Sequence, residues 1–420
     1  MAKPITAVIL GAGHRSLIYG DVSLSHPDRL KIVGVVDIKP EKADYAAKRY
    51  GVDPAHVFYS LDDLLRAGKI ADVVINGTMD AQHVPTALPL LKQGYDMLLE
   101  KPFATSASEL AELYVTAKEN NSTVFVCHVL RYASFYQNIR RVLEDGLLGK
   151  IVSINMAEDI SQHHMVISYV RGQWNNETTG TPLLLAKSCH DIDLMMWMMG
   201  DDTPNTVYSV GGDFSFTPDK APEGSGTRCL LDCPLEKNCP YSAGKHYLPD
   251  HIGHAFYLWG DGNNPSYEEK KKALTYESPY GRCVWKCGHE GVDHQTVTIT
   301  FESGAVGVFT LTGGAPKEER RIQIVGTNGS LSGSFEDNAF TVYLTKPDGS
   351  HETRVFDAAT DATTLHGGGD EALVLDFLSY LQNGNPSLSY AELSDSLSSH
   401  LVIFAAEKSR KKGEIVQFKL

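Results

Sequence analysis

The feature that most constrains this chain is a short apolar run that breaks into glycine. Val8-Ile9-Leu10 is apolar and mostly β-branched, and Gly11-Ala12-Gly13-His14-Arg15-Ser16 follows it directly. A buried strand that turns on glycine into a helix reads as the first βα unit of a parallel sheet. The pattern recurs. Strand-like runs at 32–36, 71–75, 96–100 and 122–126 alternate with helical stretches at 39–50, 83–93 and 106–120. Residues 1–130 therefore predict an α/β domain of the Rossmann type. In such a turn the first glycine, Gly11, allows the tight bend, and the second, Gly13, lets backbone approach a pyrophosphate. Ser16 stands where a third glycine is usual. The helix behind it offers orphan N–H groups and a positive dipole end to phosphate. Asp37 ends the second strand, where a carboxylate accepts from adenosine ribose hydroxyls. That favours NAD over NADP, and Lys39 two residues on softens the preference.

Beyond about residue 130 the pattern changes. A helix is expected at 136–144 and a strand at 149–154. The runs at 296–301 and 305–310 alternate polar with apolar residues, and Ser303-Gly304 between them signals a hairpin. Further strands are expected at 321–325 and 340–344, and helices at 370–382 and within 390–412. Residues 131–420 thus predict an α+β domain with a large, mostly antiparallel open sheet. The stretch at about 216–290 is rich in Gly, Pro, Cys and Tyr and reads as an irregular insertion. Two domains suit 420 residues, because single cores stop growing near about 250–300 residues. The net charge of -14, with no basic run, argues against a nucleic-acid or anionic-membrane partner. Neither a secretory signal nor an apolar run of roughly 18 residues is read, so the cytoplasm is the expected location.

At Glu100-Lys101-Pro102, after the fourth strand, the chain resembles the Gfo/Idh/MocA family of sugar and cyclitol oxidoreductases. Thr78-Met79-Asp80-Ala81-Gln82-His83 and His190, with Asp191 and Asp193, extend the resemblance over nearly the whole chain. It implies cofactor contacts from Gly11, Gly13, His14, Arg15, Ser16, Asp37, Thr78, Asp80, His83, Glu100, Lys101 and Arg131. It also implies that Lys101 and His190 handle a hydroxyl proton. Desolvation and a cationic nicotinamide both lower a lysine pKa, which suits proton transfer near neutrality. Many relatives carry an aspartate four residues before the histidine. Here that position is Ala186, so either His190 works with Lys101 alone or Lys187 replaces the missing group. His128, Arg131 and Tyr132 follow the fifth strand, at the crevice where open α/β sheets bind ligands. His163, His164, Tyr169, Arg171 and Trp174 are expected in a loop of the second domain. Aromatic, His and Arg groups together suit a sugar. The open sheet makes a homodimer or homotetramer the expectation.

Five of the seven cysteines lie in the insertion, as Cys229-x3-Cys233-x5-Cys239 and Cys283-x3-Cys287. A segment with so little core gains order from a metal clip, so structural zinc held by four of the five thiolates is one expectation. An iron–sulfur cluster or buried free thiols are the alternatives. His246, His251, His254 and His289 are further candidate ligands. A subgroup of the same family is similar in this insertion, in Tyr280-Gly281-Arg282-Cys283, Asp293-His294-Gln295 and His366-Gly367-Gly368-Gly369-Asp370. The last motif resembles the redox glycosidases, which retain NAD, oxidise a sugar hydroxyl (usually at C3), expel the C1 group and return the hydride. His164, Tyr169, His294 and His366 are the candidate bases for the C2 proton. The leading expectation is NAD-dependent oxidation of a sugar or glycoside hydroxyl, with redox glycoside cleavage as the alternative. A non-catalytic NAD sensor is a minor alternative, because it would have lost Lys101 or His190. A flat apolar substrate of the biliverdin or dihydrodiol type fits the polar second-domain residues poorly.

Overall fold

The computed structural model describes residues 3–177, 180–250, 253–260, 265–357 and 365–418. Six parallel strands form the first sheet: β1 (Ile5–Leu10), β2 (Leu30–Val36), β3 (Val57–Phe58), β4 (Val73–Asn76), β5 (Asp96–Leu99) and β6 (Val124–Val126). Their order is β3-β2-β1-β4-β5-β6. This is the doubly wound arrangement, whose ligands lie beyond the carboxyl ends of the strands. Val8, Ile9, Val74, Leu98 and Val124 are buried because helices cover both faces, which is why these strands read as continuous apolar runs. β3 escapes a pattern-based reading, since two residues show no periodicity.

Nine strands form the second sheet: β7 (Ile151–Ser161), β8 (Pro204–Gly212), β9 (His294–Phe301), β10 (Val306–Ala315), β11 (Glu319–Gly326), β12 (Gly329–Ser334), β13 (Ala339–Thr345), β14 (His351–Asp357) and β15 (Val416–Gln417). They run in the order β14-β13-β12-β11-β7-β10-β9-β8-β15. Only β7 and β10 pair in parallel. The sheet is therefore mostly antiparallel, as expected. One face packs on the helices Ser134–Glu144, Cys189–Met199 and Leu393–Lys412. The other exposes Val152, Tyr208, Val210 and Tyr343.

β7 is longer than its first residues suggest. Ile154, Met156, Glu158 and Ile160 alternate inward to its end. The chain then turns through a helical segment, Gln162–Met165, and a π-helical turn, Val166–Val170. His163, His164 and Tyr169 therefore sit on helical turns rather than in a loop. The described part of the insertion holds three short α-helices, Ala243–Tyr247, Ala255–Trp259 and Tyr267–Lys272, around a small core that includes Cys229, Tyr247 and Leu274. No described helix is long and apolar enough to cross a membrane.

Candidate active site

The site begins at the carboxyl end of β1. Gly11 has φ +77°, and a Cβ there would lie 2.9 Å from Gly77 O and 3.0 Å from Thr78 Cα. Only glycine permits that bend against the loop after β4. Gly13 caps the helix His14–Ser25 without a side-chain hydrogen bond, and a Cβ on it would meet nothing within 4 Å. Free space beside uncapped N–H groups is what an approaching phosphate needs. Ser16 is fully buried, and its Oγ lies against Gly77, where a Cβ would come within 2.1 Å. Asp37 accepts from Ala12 N (2.8 Å) through Oδ2 and from Lys39 N (2.8 Å) through Oδ1. Each oxygen keeps a lone pair for a ribose hydroxyl.

Arg15 turns away from the phosphate region. Its guanidinium donates to Glu100 Oε1 (2.8 Å), to the Tyr19 hydroxyl and to Asp370. Burial alone would raise Glu100, but Arg15 and Lys101 offset it and hold the carboxyl below its usual range. Asp370 is held at about 2 against its burial, chiefly by Arg15 and His366. Glu100 also accepts from the Lys101 backbone N–H at 2.7 Å. His83 lies between Pro102 O (2.7 Å) and Thr78 O (2.9 Å), tying the lysine loop to the loop after β4. Arg131 gives both sides of its fork to Asp193 (2.7 and 2.6 Å) and Nη1 to Tyr390 O (2.7 Å). It ties the segment that follows β6 to the helix Cys189–Met199.

Lys101 Nζ donates to Ala186 O at 2.7 Å. The backbone carbonyl of Ala186, four residues before His190, thus holds the lysine. The expected lowering of its pKa does not occur in this state. Burial does lower it, but Cys189, Glu100 and Asp80 outweigh burial and the ammonium is raised. His190 stands on the next turn, 6% exposed, with no partner on Nδ1. Burial, then Lys101, His128 and His366, push it well below its usual value, so the ring is neutral. His366 lies 6.1 Å from it, ring to ring, and its Nδ1 is 3.0 Å from Asp370 Oδ2. His128 and His400 are also buried, without hydrogen bonds and neutral for the same first reason.

Lys187 belongs to a cluster of acids and Arg320. Its Nζ pairs with Glu158 Oε1 (2.9 Å) and approaches Glu318 (3.8 Å). Arg320 pairs with Glu158 and lies 3.3 Å from Asp191. Burial raises Asp191, and the neighbouring Glu158 charge raises it further, so Asp191 keeps its proton beside an ionised Glu158. His164 Nδ1 lies 3.0 Å from Glu318 Oε1, and burial and Lys187 keep its ring neutral. Tyr169 stacks near His164 (6.0 Å) and Trp174 (5.8 Å), and Trp174 Nε1 donates to Asp80 at 2.9 Å.

The insertion reaches this cluster, which its composition did not reveal. His254 stacks on His164 at 4.3 Å, and Tyr257 meets Trp174 edge-on at 5.8 Å and lies close enough to Lys101 to feel its charge. His294 stays outside. Its side chain is half exposed on β9, 2.7 Å from Asp293. Glu158, Glu318 and Arg320 were not singled out from sequence. A signal existed for two of them: Glu158 and Arg320 keep the inward phase of β7 and β11, where apolar residues are expected.

The single-ion zinc expectation needs correction. Among the described residues no group of three or more His, Cys, Asp or Glu side chains is arranged to hold one metal ion. Cys287 donates its thiol to Val170 O and Val284 O. His246 lies on Pro240 O, His254 on His164, and His289 packs against Phe216 near Asp213. His251 lies outside the described residues.

A sequence profile described as the oxidoreductase family's NAD-binding Rossmann fold matches residues 5–128. The same family's C-terminal alpha/beta domain matches 140–418. The chain belongs to the Gfo/Idh/MocA oxidoreductase family. It is 23% identical to the oxidoreductase YteT of Bacillus subtilis, over 82% of this chain and 81% of that protein. It is 23% identical to the 2,7-anhydro-N-acetylneuraminate hydratase of Escherichia coli, over 45% of this chain and 48% of that protein. The fold matches the WlbA dehydrogenase of Bordetella pertussis in complex with NADH and UDP-GlcNAcA, with TM-score 0.71, 18% identity and coverage of 100% and 99% of the two chains.

Proposed function

We propose that this family member oxidises a secondary hydroxyl of a sugar or glycoside, with NAD as the hydride acceptor. The observation that carries the reading is the pairing of Lys101, fixed by Ala186 O, with a neutral His190 whose Nδ1 is unpartnered. The Gly11–Gly13 turn, the uncapped helix and Asp37 fit a dinucleotide, with the Asp37 carboxylate disfavouring a 2′-phosphate. NAD held there would supply a hydride acceptor and a positive charge opposing the acidic groups that raise Lys101.

His190, neutral and with a free ring nitrogen, takes the substrate hydroxyl proton, and the Lys101 ammonium stabilises the developing alkoxide while the carbinol C–H bond breaks and its hydride goes to the cofactor. Lys187, Glu318, His164 and Tyr169 supply donors and acceptors for the remaining hydroxyls, with Trp174 and Tyr257 as flat faces. C3 of a pyranose ring is the proposed carbon. A C3 ketone acidifies the C2 proton, and its loss expels the group at C1 as the C1–O bond breaks. That second reading is favoured by the likeness to a hydratase of an anhydro-sugar, with His164, beside Glu318, and His366, beside His190, as its candidate bases. A second copy covering the exposed Val152, Tyr208, Val210 and Tyr343 is the proposed oligomer, tested by sedimentation of the purified chain.

The experiment is a panel of p-nitrophenyl glycosides incubated with and without NAD. NADH without nitrophenol identifies a dehydrogenase; nitrophenol without net NADH, with or without added NAD, identifies the cleaving reaction with a retained cofactor. Silence with every glycoside and free sugar contradicts the proposal.

A further inference from the structure

Four of the insertion's cysteines surround one cavity. Cys229, Cys233, Cys239 and Cys283 line a space of about 220 Å³, several times the ~30 Å³ share of a water molecule. Backbone pairing brings them together: Cys229 N donates to Gly281 O at 2.9 Å, and Cys283 N to Thr227 O at 2.8 Å. Gly281 allows it, since a Cβ there would lie 1.7 Å from Leu274 O. Leu235, Pro240 and Val284 supply apolar wall.

Arg171 also lines the cavity. It is 1% exposed, and among the described residues no carboxylate pairs with it. Its donors go to Arg282 O (2.7 Å), Tyr241 O (2.9 Å), Tyr247 Oη (3.3 Å) and Cys229 Sγ (3.3 Å). A buried guanidinium facing only neutral acceptors is costly. Glu236 also lines the cavity, but its carboxylate accepts from Ser242 Oγ and forms no ion pair with Arg171, so negative charge placed beside Arg171 removes that cost.

A single zinc does not fit. With Zn–S near about 2.3 Å it would draw its sulfurs to within roughly 4 Å of one another. No such set exists among the described residues. A cubane cluster differs, because each thiolate binds a separate iron and the sulfurs stand apart around a filled space.

We propose that Cys229, Cys233, Cys239 and Cys283 hold a four-iron, four-sulfide cluster, with Arg171 donating to the Cys229 sulfur. The four thiols lose their protons on ligation, and four thiolates around a dicationic core carry the net negative charge that Arg171 lacks. Cys287, whose thiol is spent on two carbonyls, is not a ligand. The cluster orders the insertion, which carries His254 and Tyr257 to the Lys101 site through Tyr247 and Tyr280. The assignment is independent of the reaction proposed for Lys101.

The test is elemental analysis and visible spectroscopy of the full chain purified without oxygen and reconstituted with iron and sulfide. About four irons and four sulfides per chain, with a broad visible band bleached by dithionite, are expected. Cys287→Ser retains them and Cys233→Ser loses most of the iron. One zinc per chain, or a folded wild-type chain that takes up no iron, overturns the proposal. So does equal iron loss from Cys287→Ser. The wild-type stoichiometry decides the matter should Cys233→Ser fail to fold.

Discussion

The two sides of the Lys101 crevice are built from different materials. On the cofactor side, at Gly11, Gly13 and the start of the helix His14–Ser25, the groups that matter are backbone N–H donors and space where side chains are missing. On the side proposed for substrate, at Glu158, Lys187, Glu318 and Arg320, they are charged side chains from β7, β11 and the segments packed against them, with a protonated Asp191 on the helix Cys189–Met199. The first side is local, set by six consecutive residues. The second depends on strands about 160 residues apart in sequence meeting in one register, with Arg320 opposite Glu158. A backbone site tolerates change wherever a side chain has room. A buried charge network fails when any member is removed.

Experiments can break that contrast. Glu158 is fully buried between Lys187 and Arg320, so Glu158→Ala leaves two cations unpaired. A loss of about 3–5 kcal/mol in urea unfolding is expected. A loss under 1 kcal/mol would show that the network carries little of the domain's stability. Gly11→Ala should cost about 1–3 kcal/mol, because the new Cβ meets immovable backbone at positive φ. Thermal unfolding reads this, and an unchanged melting temperature would contradict the tight turn.

The neutral histidines give a pH signature. His128, His190 and His400 are all held well below their ordinary value by burial. As pH falls through about 6.5 the unfolded chain binds protons that the folded chain refuses, so stability falls with pH. Each group contributes about 1.4 kcal/mol per pH unit below that point. His400→Phe should reduce the slope between pH 6.5 and 5 by about that amount, measured by denaturant titration at each pH; an unchanged slope would mean His400 is protonated in the fold. The smallest expected stability change is for Gly13→Ala. Its Cβ meets nothing, so unfolding should shift by less than about 0.5 kcal/mol while NAD affinity measured by calorimetry falls. Undiminished affinity would remove Gly13 from the cofactor surface.

The same contrast explains what could be read from the chain. The Rossmann half is legible because Val8-Ile9-Leu10 before Gly11 and the acid at Asp37 are local patterns with one structural meaning. The open sheet was legible in strands with clean alternation, such as β9 and β10. It was not legible in β8, β12, β14 and β15, where glycine, serine and charged residues blur the period. Lys101 and His190 came from motifs. Lys187 was noticed, but its partners Glu158 and Glu318 were not, because an ion pair across more than a hundred residues has no sequence spacing. The insertion reads from its composition as irregular, yet His254 and Tyr257 lie against His164 and Trp174. Nothing in the order of its residues reveals that stacking on His164.

The central claim is that Lys101 and His190 move a sugar hydroxyl proton during NAD-dependent oxidation. The most direct test compares Lys101→Met with the wild type on the responsive glycoside, following NADH and nitrophenol together while NAD binding is measured separately. The account predicts a fall in kcat of about two orders of magnitude or more with NAD affinity retained, the size expected for losing a group that handles the transferred proton. Turnover equal to that of the wild type would contradict it.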